Sequence, residues 1–318
     1  MFMIKAVLAG FFGLGLILAM STGNRDMKLT EPENYNEIYK RAYNRGSGTL
    51  ENYPYVVSIH NKRSGDRHIC GGVLLSENAV LTSGYCISDH ASGSIADAKY
   101  ISVVVYTKNG KKHESNLFKV KQVFRHEKYT YNSNIENDIG IIKLDKKIGD
   151  HFIKINGIEF AKIHNRKING NTNTVFLGWG QNPNYKFIRL SISNSVMCSL
   201  SEREKSRDYT KDNDRIIHSN VNRLEMYKGD SGGPLVLATE MSQHNRVRNS
   251  IIGIKSSSDA HVEEKYNCGN NKRTDYFTNI FSHIDWIQQK SGISLDKLEY
   301  YSSNSGGFYF PQVTDDDE

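Results

Sequence analysis

The sequence predicts an all-β fold, a sandwich or a barrel, and two observations carry that prediction. Short runs rich in β-branched and aromatic residues recur along the chain, bounded by clusters of Gly, Asn, Asp and Ser. Helical patterning, in contrast, is confined to two stretches of the 318 residues. The predicted strands are, in order, YPYVVSIH from Tyr53, ICGGVLLS from Ile69, AVLTS from Ala79, ISVVVYT from Ile101, FKVKQVFRH from Phe118 and IGIIKL from Ile139. A second series follows with TVFLGWG, FIRLSIS, GPLVLAT and NSIIGIKS, separated by polar loops such as residues 202–214. FSHIDWIQQKSG reads as a helix, with Ser282 as N-cap and Gly292 as its stop. Residues 199–207 form a weaker helical candidate.

The ends of the chain read differently from its middle. Met1 to Gly23 combine Lys5, an apolar run broken by Gly10, Gly13 and Gly15, and small residues near Ser21, which is the pattern of a secretory signal peptide over residues 1–21. The run is shorter than the roughly 20 residues a spanning helix needs. The expectation is therefore a secreted, extracellular protein with no membrane attachment after cleavage. Residues 22–41 lack hydrophobic periodicity and end on the dibasic Lys40-Arg41, as a short propeptide or arm would. Residues 291–318 mix Ser, Gly and aromatics, finish on DDDE and read as a flexible tail. One domain is expected over residues 42–290.

Composition removes several function classes. The net charge is +6, or +5 once Lys5 is gone, and its basic runs, such as KNGKKH, are not interleaved with aromatics in the manner of a nucleic-acid groove. The histidines are scattered, with no HExxH and no Cys-x-x-Cys, so neither a metal nor another cofactor is expected. Nothing supports a toxin-like or carbohydrate-binding module. Asn-x-Ser/Thr acceptors are absent despite abundant asparagine, and N-glycosylation is not expected.

The stretch that carries chemistry is GDSGGP, Gly229 to Pro234. A serine set between glycines at a tight turn can present its hydroxyl and the adjacent backbone N–H groups to a carbonyl, as a nucleophile and its oxyanion hole must. Alone, the motif fits a Gly-rich β-turn equally well. It is preceded, however, by ICGGVLLSENAVLTSGYC, NDIGIIKL and LGWG, and followed by YFTNIFSHIDWIQ. In that order these motifs resemble the trypsin-like (chymotrypsin-fold) serine proteases over residues 42–290. The resemblance implies two packed six-stranded antiparallel β-barrels, a site in the cleft between them and a C-terminal helix.

Carried over position by position, the resemblance implies Ser231 as nucleophile, Asp138 as the buried acid, and Gly229 with Ser231 as oxyanion donors. Cys70–Cys86 matches a family disulfide. Cys198 and Cys268 match halves of two other bridges, one vacated partner place being Tyr227, and they either pair with each other or stay free. The family's turn reads LTAAHC or close to it; this chain has LTSGYC, with Tyr85 where the histidine base belongs. A phenol with a pKa near 10 is already protonated at neutral pH and cannot take the serine proton. Tyr85 is expected to direct a hydrogen bond toward Asp138, and His68, His90 and His126 are the histidines weighed as substitutes for the base.

Other positions depart as well. The activation site matches Arg41 and Ala42, with Asp230 as the acid that would receive a new N-terminus, yet Ala fills an apolar socket poorly. The specificity-pocket positions hold Glu225, Ser258 and Asp275, with Ser256-Ser257-Ser258 where the family has Ser-Trp-Gly. Glu225 and Asp275 together would attract a basic side chain; read more plainly, they belong to an unusual solvated loop. Two functions follow as alternatives. One is a secreted, catalytically inactive homologue that binds a protein partner, whether a protease, a zymogen or an inhibitor. The other is an active trypsin-like endopeptidase with an unorthodox base.

Overall fold

The computed structural model describes residues 52–106, 116–131, 135–164, 172–179, 191–197, 216–221, 229–237, 250–259 and 274–300. The leader, the arm with Arg41 and Ala42, residues 199–207, Cys198, Glu225, Cys268 and residues 301–318 lie outside them.

Six strands close the first barrel: β1 (Val56–Asn61), β2 (Arg67–Ser76), β3 (Ala79–Thr82), β4 (Ile101–Val105), β5 (Leu117–Arg125) and β6 (Gly140–Leu144). They pair in the cyclic order β1-β2-β3-β6-β5-β4, every neighbour antiparallel. Successive side chains of a strand point to opposite faces, yet Val56, Val57 and Ile59 are all buried, as are Ile141 and Ile142. Both faces of these strands are covered, which is why they read as continuous apolar runs rather than as alternation. The β1–β2 register shifts at Ile59/His60 and the β2–β3 register at Leu74, irregularities that bend long strands enough to close a small barrel.

After the first barrel, α1 (Asp150–Asn156) ends on left-handed Gly157 and is followed by β7 (Lys162–His164). The second strand set is β8 (Asn173–Gly178), β9 (Ser191–Met197), β10 (Ile216–Val221), β11 (Pro234–Leu237), β12 (Ser250–Asp259) and β13 (Thr274–Asn279). Their order is β11-β8-β9-β10-β13-β12, and β11 pairing with β12 completes the ring. Phe176, Met197, Ile217, Leu235, Leu237, Ile252 and Phe277 form its own apolar cluster. The larger cluster is shared, joining Val57, Leu81 and Ile141 to Val175, Leu177, Ile251 and Ile254. Hydrogen bonds stitch the seam: Trp179 Nε1 donates to Val57 O at 2.9 Å, and Thr278 Oγ1 to Asp138 O at 2.8 Å.

The C-terminal helix forms, but not from the expected cap. A 3-10 turn over Phe281–His283 leads into α2 (Ile284–Ser291), and no side chain caps the helix itself; Asn279 Oδ1 instead accepts from Phe281 N at 3.2 Å. Gly292 ends α2 in the left-handed region, φ 70°, its N–H reaching Gln288 O at 2.8 Å. The chain does not then leave the domain. A short α3 (Leu295–Leu298) and β14 (Glu299–Tyr300) follow, Leu298 is fully buried, and β14 pairs in parallel with β7, itself parallel to β12. The expected tail therefore gives way to packed structure up to residue 300.

Candidate active site

The site forms where ICGG and GDSGG touch. Gly71 N donates to Ser231 O at 2.8 Å, and Thr82 Oγ1 donates to Gly71 O at 2.8 Å. Gly232 sits at φ 81°, and a Cβ there would overlap Gly71 O and Thr82 Oγ1. Only glycine combines that backbone angle with that approach, so the motif is the mould in which one barrel's turn meets the other's strand. The disulfide Cys70–Cys86, with Cα atoms 5.9 Å apart, ties β2 to the 3-10 turn Tyr85–Ile87 on the same side.

Asp138 is placed by local backbone strain. Asn137 adopts φ 55°, a left-handed conformation that asparagine tolerates better than most residues, and Ile139 N closes a tight turn onto Asn137 O at 2.8 Å. His283 Nε2 holds the Asn137 Oδ1 at 3.2 Å. The Asp138 carboxylate is thus presented, fully desolvated, to the seam between the barrels. It accepts the backbone N–H of Tyr85 at 2.7 Å on one oxygen and the Ser256 hydroxyl at 2.6 Å on the other. Burial pushes its pKa up to about 6, an effect the Ser256 hydroxyl and the Tyr85 and Gly84 N–H groups partly offset.

The expected hydrogen bond from Tyr85 to Asp138 is present, and it is made by the main-chain N–H. The ring turns outward instead, against His90 with centroids 4.5 Å apart and parallel to Tyr131 at 5.9 Å. Its hydroxyl has no hydrogen-bond partner among the described residues, and half-burial raises its pKa further, with Tyr131 and Asp138 adding to the shift. The Ser231 hydroxyl donates to the Ser256 carbonyl at 3.2 Å, an acceptor that cannot remove a proton. At the two positions expected to donate to an oxyanion, Gly229 and Ser231, the N–H groups are uncommitted among the described residues, while Gly229 O accepts from His68 Nε2 at 3.0 Å.

The histidines weighed as substitutes are all engaged elsewhere. His90 Nε2 lies 3.3 Å from Tyr85 O, on the outer side of the turn. His68 bridges Ser58 Oγ at 2.7 Å and Gly229 O, and burial with repulsion from His60 pulls its pKa down to about 4. His126 packs on His283 and Trp286, with ring centroids 5.5 and 5.2 Å away.

Asp230 is buried, its carboxylate against Gly178, where a Cβ would overlap Oδ1. Asp275 corrects an expectation: it is 2 % exposed on β13, not part of a solvated loop, and its Oδ1 lies 3.4 Å from Lys255 Nζ. Ser258 pairs with Asp275 across β12 and β13. Lys255 was absent from the sequence-based site, although a lysine inside the apolar run SIIGIKS was a visible anomaly. The role of Ser256 as a carboxylate donor was likewise missed.

The sequence pattern of the family described as Trypsin matches residues 44–287. The chain belongs to the trypsin family. Among relatives, it is 26 % identical over 251 residues to Trypsin 5G1 of Aedes aegypti, covering 77 % of this chain and 82 % of that protein. It is 24 % identical over 230 residues to Trypsin of Sarcophaga bullata, covering 70 % and 80 %. Against Coagulation factor XI of Bos taurus identity is 23 % over 254 residues, 75 % of this chain but only 36 % of that protein's length. The solved structure of mouse neuropsin, titled a serine protease expressed in the limbic system of the brain, has a TM-score of 0.54 at 21 % identity and covers 76 % of this chain and 96 % of its own. That likeness shows the fold, a mostly β chymotrypsin fold with a closed six-stranded antiparallel barrel and a C-terminal helix.

Proposed function

We propose that this trypsin-family protein is a secreted homologue that does not cleave peptide bonds and acts by binding a protein partner, namely a protease, a zymogen or an inhibitor. The observation that carries the reading is the pairing at Asp138. Its two oxygens are taken by a backbone N–H and by Ser256, and no imidazole stands between it and Ser231 among the described residues. Tyr85 occupies the base position with a phenol that cannot accept the serine proton at neutral pH. In subtilisin, a serine protease of unrelated fold, removing the base alone costs about 10⁶ in kcat, a loss that leaves no useful peptidase.

The remaining roles follow from the same frame. Ser231 keeps the nucleophile position and Asp138 the acid position, with Gly229 and Ser231 as oxyanion donors. Asp230, Arg41 and Ala42 keep a vestige of activation by cleavage, and Glu225, Ser258 and Asp275 mark the altered specificity pocket. What such a scaffold retains is shape: a rigid double barrel whose cleft still resembles that of a protease. Affinity capture from the native secretion with the mature protein and with its Ser231→Ala variant tests this. A binding protein captures the same partner with both; a partner retained only by intact Ser231 contradicts the proposal.

A further inference from the structure

We infer that the protein holds, beside Ser231, a buried carboxylate site for a basic ligand, and that its own Lys255 fills it as an internal ligand. The backbone of Lys255 is strapped to the turn that carries Ser231: its N–H donates to Gly233 O at 2.8 Å, and its carbonyl accepts from Gly232 N at 2.8 Å. The next residue supplies the carbonyl that meets the Ser231 hydroxyl. From that point the Lys255 side chain runs inward, and the residue is 2 % exposed.

Its ammonium lies 3.4 Å from Asp275 Oδ1, donates to Ser257 O, and stands 5.3 Å from the centre of the Phe277 ring. A carboxylate, a carbonyl oxygen and an aromatic face are the groups that recognise a lysine, an arginine or an aromatic amidine. The β12–β13 register shifts between Lys255 and Ser258, so Asp275 pairs with Ser258 while its carboxylate meets the ammonium. The receiving carboxylate therefore lies one lysine side chain away from the backbone at Ser231.

A buried Lys–Asp pair is often no more than mutual neutralisation. Here the location gives it a second consequence: a basic side chain from another molecule finds the carboxylate already taken. The block concerns ligand entry and not the chemistry of Ser231, so it goes beyond the missing base, and its test reads binding alone.

The probe is benzamidine, followed by calorimetry and by thermal unfolding of the mature protein. The wild type is expected to show no saturable binding below about 10 mM, and Lys255→Ala to bind at least about tenfold more tightly, with a rise in Tm that the wild type lacks. The Lys255→Ala/Asp275→Asn double variant, which leaves no unpaired buried charge, is expected to fold and to lose the site again. If Lys255→Ala fails to fold alone, refolding promoted by benzamidine supports the inference, and refolding indifferent to benzamidine overturns it. Equal binding by the wild type and Lys255→Ala, or by the single and double variants, also overturns it.

Discussion

Asp138→Asn should stabilise the protein at neutral pH and leave its stability nearly unchanged in acid. Asp138 is completely desolvated, and its carboxyl rises from 3.8 to about 6 in the fold. Between those values the folded chain holds a proton that the unfolded chain has lost, so stability falls as pH climbs through about 6. The gap corresponds to about 3 kcal/mol of lost stability at pH 7 relative to acid below both values. Asparagine keeps an oxygen for the Tyr85 N–H and offers an N–H to Ser256 Oγ, whose proton can turn away, so the polar contacts survive the change.

His68 acts with the opposite sign. Its pKa falls from 6.5 to about 4, so the stability it confers above 6.5 is lost as pH drops toward 4. In the wild type these slopes oppose each other, and the two tyrosines acting with Asp138, Tyr85 and Tyr129, are both raised above their ordinary value and stay neutral over this range. Urea unfolding of both proteins at intervals from pH 4 to 8, compared by midpoint at equal m, isolates Asp138. The expected difference grows from about 0.5 kcal/mol at pH 4 to about 3 kcal/mol in favour of asparagine at pH 7. A difference that does not change with pH, or a wild type more stable than the variant at pH 7, would refute the reasoning.

Tyr85→His is expected to give at most slow ester hydrolysis and no efficient cleavage after lysine or arginine, because Lys255 still occupies Asp275; rapid turnover of a fluorogenic arginyl peptide would show the pocket reading to be wrong. Gly232→Ala should lower stability by about 3 kcal/mol or prevent folding, since φ 81° and the overlap with Gly71 O and Thr82 Oγ1 both forbid a Cβ; an unchanged melting temperature would contradict the seam geometry. Replacing Cys70 and Cys86 by alanine, which opens a link between residues 16 apart in sequence, should cost about 3 kcal/mol in chemical unfolding, and a loss below about 0.5 kcal/mol would place the constraint elsewhere.

The strands were legible because barrel strands covered on both faces leave dense apolar runs, as at Val56 to Ile59 and Ile139 to Ile142. Closure of each ring was not legible from periodicity; it depends on pairings such as β11 with β12, between residues far apart in the chain. The helix at α2 could be read from Trp286, Ile287 and Gly292, but its cap could not, because a 3-10 turn displaced Ser282. Helix α1 escaped notice because seven residues, none of them buried, leave little amphipathic pattern. At the site, Ser231, Asp138 and Tyr85 stood out by motif. The atom through which Tyr85 meets Asp138 did not, since backbone and side-chain donors are indistinguishable in a sequence. Lys255 and Asp275 are 20 positions apart and become partners only when β12 lies against β13, so neither alone pointed to the pair.

The central claim, that Ser231 has a hydroxyl but no base, is tested most directly by a fluorophosphonate, which reacts with an activated serine and needs no specificity pocket. Mature protein incubated with excess reagent at pH 7 and weighed by intact mass spectrometry should remain unmodified. Stoichiometric labelling that disappears in Ser231→Ala would contradict the claim and return the protein to the working endopeptidases.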